Sequence, residues 1–130
     1  MQDDAQPDLM LVTSDIAKIG ILACYAGFTQ SAFELFESLH QSFPDVGCPI
    51  MGMVCVHLAN SKFDEANDTL EKNKKLFFEN AAADEFNIMQ CLIAYYKQEN
   101  NKAMSFLLDL KKSHKETSRN FADALMQQMI

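Results

Sequence analysis

Apolar residues in this chain recur at spacings of three and four, the mark of helices that bury one face. Ile16, Ile19 and Ala23 form one such stripe, and Ala32, Phe36 and Leu39 form the next. Polar turn residues part the stripes. The pattern predicts helices over about Asp8 to Ala26, Thr29 to Ser42, Cys48 to Asn60, Lys62 to Glu79, Ala83 to Gln98 and Lys102 to His114. A last amphipathic stretch, Ser118 to Met129, places Phe121, Ala122, Leu125, Met126 and Met129 on one side. Asp8, Thr13 and Ser14 are candidate N-caps. Pro49 suits a first helical turn, and Pro44 a stop.

The stripes repeat. Thr13 to Val46 and Gly47 to Asn80 align without a gap, 34 residues each. Ala32 falls on Ala66, Phe36 on Leu70, Ile16 on Ile50, Ile19 on Met53, and Ala23 on His57. Gly27 falls on Ser61, at the expected turn between two helices. A third unit is looser, with Ala103 37 residues after Ala66. There Ile88, Cys91, Leu92 and Tyr95 take the places of Ile16, Ile19, Gly20 and Ala23, while Leu107 and Leu110 take those of Phe36 and Leu39. A small residue near the start of each second helix lets it approach the first closely. One such hairpin cannot bury its own apolar face, so stacked copies must share a core.

Composition agrees with one all-α domain over residues 1–130. Glycine and proline number four and three, few for a sheet-rich fold with many turns. The net charge of −7 and pI near 4.8 oppose nucleic-acid binding and a polybasic membrane contact. Cys24, Cys48, Cys55 and Cys91 form no Cys-x-x-Cys, and His40, His57 and His114 add no zinc-like spacing. The thiols therefore read as small, mostly buried groups of a reducing, cytoplasmic setting, with no metal or cofactor. The polar, acidic start, residues 1–8, is unlike a secretory leader and is a candidate disordered lead. The longest apolar stretch, Ile19 to Phe28, is too short to span a bilayer.

The 34-residue period, with Gly20, Ala32, Phe36 and Pro44, then Ala66 and Leu70, then Tyr95, Ala103 and Leu107, resembles the tetratricopeptide repeat. The resemblance covers about Thr13 to Lys112. It lacks the family tryptophan, whose place is taken by Ile16, Ile50 and Ile88. It implies three degenerate helical hairpins, at about 13–46, 47–80 and 84–113, in a right-handed superhelical array. A capping helix at about 118–130 would close it. A narrower likeness rests on Leu11-Val-Thr-Ser-Asp-Ile-Ala-Lys-Ile-Gly-Ile-Leu-Ala-Cys24, on Ser31-Ala-Phe-Glu-Leu-Phe-Glu-Ser-Leu39, and on Phe43-Pro-Asp45 leading into the next helix. In these the chain resembles the needle-subunit chaperones of bacterial type III secretion systems. That family would imply a cytoplasmic chaperone that sequesters the needle subunit before export, in a ternary complex with a small helical co-chaperone. A translocator chaperone of the same systems and an unrelated adaptor or scaffold are the alternatives.

The resemblance also implies a binding face. The repeat's groove positions fall on Ala17, Ile21, Cys24 and Tyr25 in unit one, and on Met51, Cys55, Leu58 and Ala59 in unit two. In unit three they fall on Phe86, Met89, Ile93, Tyr96 and Lys97. This set is apolar nearly throughout, which suits an amphipathic client helix and not a charged tail. The competing expectation is that a tight array fills its own groove with these side chains. Catalysis is not expected: Asp64-Glu65 and Asp84-Glu85 sit at helix starts, where they favour the helix dipole, and no nucleophile or phosphate-binding motif accompanies them.

Overall fold

The computed structural model describes residues 26–129. They form α1 (Thr29–Ser42), α2 (Cys48–Ala59), α3 (Phe63–Lys72), α4 (Lys74–Glu79), α5 (Ala83–Tyr96), α6 (Asn100–Leu110) and α7 (Glu116–Met129), with no strand among them. The first expected helix, Asp8 to Ala26, lies almost wholly outside the described residues.

Backbone chemistry fixes the turns. After α2, Ser61 adopts a left-handed φ of 59°. The N–H of Lys62 then reaches the His57 carbonyl at 2.8 Å, and that of Ser61 reaches Leu58 at 3.0 Å. After α5, Gln98 takes φ 64°. Its N–H bonds the Tyr95 carbonyl at 3.0 Å, and the Glu99 N–H bonds Ala94 at 2.9 Å. Both are helix ends that satisfy orphan carbonyls through one left-handed residue. Gly27, at φ 92°, holds the same position before α1. Five residues after each of these three lies an alanine that is 1% exposed or less: Ala32, Ala66 and Ala103. Four residues further on lie Phe36, Leu70 and Leu107, equally buried.

Boundaries differ from expectation in several places; α6, for one, runs Asn100–Leu110 and not Lys102 to His114. The segment Lys62 to Glu79 is two helices. Asn73 turns its side-chain amide back to the Thr69 carbonyl at 2.8 Å, while its own N–H bonds Leu70. That substitution of side chain for backbone ends α3 at Lys72 and not at Glu79. Asn80 does the same to the Leu76 carbonyl at the end of α4, at 2.7 Å. A further difference is at α5, which stops at Tyr96 because Gln98 must go left-handed.

The helices pack in a row. α1 lies on α2, and α2 pairs with α3. α5 touches α2, α3, α4, α6 and α7, and α7 rests on α5 and α6. Three apolar clusters follow this order. Ala32, Phe36, Leu39 and Val56 form the first. Ile50, Val54, Leu70, Phe77 and Phe86 anchor the second. Cys91, Ala94, Leu107, Leu110 and Ala122 anchor the third. α2 is apolar on nearly every side, as its shared position between two clusters demands. Close approach of α1 and α2 is possible because position 52 is glycine: a Cβ there would overlap the Phe36 ring.

Candidate functional site

α2 sets Met51, Cys55 and Ala59 at successive turns on one side of the helix. Cys55 and Ala59 are exposed, and Met51 is half-buried against the central cluster. Tyr96, at the end of α5, is 50% exposed and stands edge-on to Tyr95. Lys97 follows it at the surface, 3.9 Å from Glu99. These are the expected groove residues that carry accessible surface.

The other four are core residues. Leu58, Phe86, Met89 and Ile93 are each 5% exposed or less and join one cluster with Val54, Leu70 and Phe77. The expectation of an open groove lined by all of them is corrected here. The physical reason is partly α4, the short helix that ends the second unit. Its Phe77 and Phe78 bring their rings to 5.8 and 5.4 Å from Phe86. Lys74, also on α4, places its ammonium 5.8 Å from both the Phe78 and Phe86 ring centres. Ala17, Ile21, Cys24 and Tyr25 lie outside the described residues.

Polar chemistry gathers elsewhere, at the start of α5. The Asp84 carboxylate accepts hydrogen bonds from the hydroxyls of Ser113 and Ser118, the latter at 2.6 Å. Ser118 is 1% exposed, so this carboxylate is what satisfies its buried hydroxyl. Lys115 sits 3.5 Å from Glu85 and donates to the Ala81 carbonyl at 3.4 Å. Arg119 donates to the Ser113 carbonyl at 2.8 Å. The Ser113 hydrogen bond, then that of Ser118, hold the Asp84 pKa below its ordinary value against a small desolvation penalty, helped by Lys115 and His114. By sequence alone, Asp84 and Glu85 are expected only to favour the helix dipole. Their partners lie about thirty residues away in sequence and follow no period, so no local signal pointed to them.

The thiols differ among themselves. Cys91 is fully buried, its sulfur 3.5 Å from the Ala103 carbonyl, and burial pushes its pKa up to about 11. Burial also raises Cys48. Both stay protonated and unreactive at neutral pH. His57 lies 5.1 Å from the Phe33 ring, and desolvation lowers its pKa, so the fold favours the neutral ring. A shallow polar cleft between α3, α5 and α6 is lined by Asn67, Gln90, Lys97, Lys102 and Phe106. Among the described residues no cluster of three or more His, Cys, Asp or Glu side chains is arranged to hold a metal, and no helix is long and apolar enough to cross a membrane.

The described residues define an all-helical protein in which some of the expected groove positions are accessible and the others are core. No protein-family model, curated protein or solved structure matches this chain.

Proposed function

We propose that this chain is a tetratricopeptide-like array in a right-handed superhelix, and that it holds an amphipathic helix of another protein. The observation that carries the reading is the repeated register. Left-handed Gly27, Ser61 and Gln98 are each followed at the same distances by a buried alanine and a buried large residue. The contact order supports it too. Each first helix of a pair touches its own second helix and the first helix of the next pair: α2 with α3 and α5, then α5 with α6 and α7. Stacking of this kind leaves a first-helix face as the natural binding surface. Met51, Cys55, Ala59 and Tyr96 are the accessible part of that face.

The cellular setting we propose is the bacterial cytoplasm, with a type III secretion needle subunit as client and a small helical co-chaperone as second partner. That part rests on the likeness of Leu11 to Cys24 and Ser31 to Leu39 to the needle-subunit chaperones. Co-expression tests it. The chain and a tagged needle subunit are produced together, as wild type and as Met51→Asp and Tyr96→Asp, with helicity checked by circular dichroism. Loss of co-purification from folded variants is expected. Undiminished capture by both variants would remove the proposed face, and no capture by the wild type would remove the needle-subunit client. Ile93 is unsuited to this test, since a charge there enters the core.

A further inference from the structure

α3 and α6 each pack on the helix before them and not on each other. A cleft of about 90 Å³ lies between them, lined by Asn67 of α3, Lys102 and Phe106 of α6, and Gln90 and Lys97 of α5. The two helices therefore stand on one face of the molecule, as ridges on either side of the cleft. Their outer surfaces are opposite in charge. On α3, Asp64, Asp68 and Glu71 recur at spacings of four and three, all exposed and opposite the buried Ala66 and Leu70. Only Lys72 offsets the four carboxylates of this helix. On α6 and the turn after it, Lys102, Ser105, Leu108 and Lys112 follow at three, three and four, exposed and away from the buried Ala103, Leu107 and Leu110. Leu108 is 52% exposed between the two cations. Lys111 is held by Asp123 of α7 at 3.3 Å. Among the described residues none of Asp64, Asp68, Lys102 and Lys112 has an ion pair, and the cleft keeps the two ridges from neutralising each other.

We propose that this face pairs with a second copy of the chain about a two-fold axis, so that α3 of each copy lies along α6 of the other. A two-fold contact presents the same surface from both sides, so it attracts only where that surface is complementary to itself. An acidic ridge beside a basic one meets this condition, because both crossings set carboxylates against ammonium groups. The net charge of −7 opposes approaches of two copies that do not bring opposite signs together. Leu108 of each copy supplies an apolar contact within the basic ridge. α3 and α6 have 10 and 11 residues, roughly 15 Å each. Ridges of that length present less than the roughly 800 Å² per partner of a standard interface, so the dimer is weak and exchanges with monomer. The contact uses none of Met51, Cys55, Ala59 or Tyr96, and so stands apart from the helix-holding reading above.

The test is sedimentation equilibrium of the full chain alone, from micromolar to millimolar concentration. Charge reversal is a cleaner probe than salt, which screens both the local attraction and the repulsion between two net-negative copies. One variant carries Asp64→Lys and Asp68→Lys, a second Lys102→Glu and Lys112→Glu, and a third all four changes. All four positions are exposed, and native helicity is confirmed for each variant. Reversible dimerisation of the wild type is expected. Each double variant is expected to associate about tenfold more weakly or worse, since like charges then face each other. The fourfold variant exchanges the signs of the two ridges and keeps them complementary, so it is expected to dimerise within about threefold of wild type. A wild type that stays monomeric throughout overturns the proposal, as does a dimer that neither double variant weakens. Failure of the folded fourfold variant to recover association overturns the pairing of α3 with α6. A chain that dimerises in this way yet captures no client keeps the inference and loses the function proposed above.

Discussion

The two ends of the described row are joined by opposite chemistries. At the α1–α2 end, a phenylalanine ring lies on a glycine, Phe36 on Gly52, and a second ring, Phe33, stands beside His57. At the α7 end, the helix is fastened at its start by a carboxylate that receives two hydroxyls, with an ammonium and a guanidinium around it. The first joint depends on volume. The second depends on charge and protonation state. The clasp of Asp84 on Ser113 and Ser118 needs the ionised carboxylate, while the Phe36 joint needs the missing Cβ at Gly52.

The comparison is broken most strongly at the packed joint. Phe36→Ala is expected to cost about 3–5 kcal/mol in a urea titration, as for other buried aromatics reduced to alanine. Gly52→Ala, which forces a Cβ into the Phe36 ring, is expected to cost about 1–3 kcal/mol. A Phe36→Leu change in the same chain should recover part of the Gly52→Ala loss. Strict additivity of the two would contradict the proposed contact.

At the clasp, Asp84→Ala is expected to cost about 1–3 kcal/mol, the penalty of leaving the buried Ser118 hydroxyl unpaired. The loss should be local. Amide exchange in α7 should accelerate while that of α2 stays unchanged, and equal acceleration in both would show that the ends are not separately held.

Acid should separate the ends in the reverse order. The fold lowers the His57 pKa, so its unfolded form binds protons first. The α1–α2 joint therefore loses stability as pH falls below about 6.5. Asp84 also has a depressed pKa, and its contribution is present above the ordinary carboxylate range and lost as pH falls through its own lower value. Exchange protection, corrected for intrinsic rates, should thus weaken in α1 and α2 in mild acid and in α7 only below about pH 4. His57→Gln should abolish the mild-acid step alone.

The smallest effects lie at the turns. Ser61→Gly and Gln98→Gly relieve left-handed backbone at non-glycine residues and, less the entropy glycine loses on folding, are each expected to stabilise by up to about 1 kcal/mol. No gain at either would mean that the repeated turn carries no strain.

Much of this row is legible in the sequence, because its parts are local or periodic. Ala32, Ala66 and Ala103 declare the close approach of paired helices, and the 34-residue offset from Gly27 to Ser61 places the turn even where glycine is missing. The end of α3 was not legible, because Asn73 fits a helix by period and breaks it only through its own side-chain hydrogen bond. The division between groove and core was hidden for another reason. Leu58, Phe86, Met89 and Ile93 are apolar whether they line a surface or fill one, and only the placement of α4 decides it for Phe86. The clasp escaped entirely, since Asp84 finds its partners through tertiary packing.

α5 gives the row its unity. Ile88 and Leu92 on its surface pack against both the central and the last cluster, and through α2 the central cluster meets the first. In a chain of links, damage at a terminal link stays there, whereas a cut in the shared link parts the whole. Within the described row, fraying should therefore begin at α1 or α7 and halt on reaching α5. A lesion in α5 leaves no boundary for it to halt at, and turns gradual loosening into a single cooperative collapse.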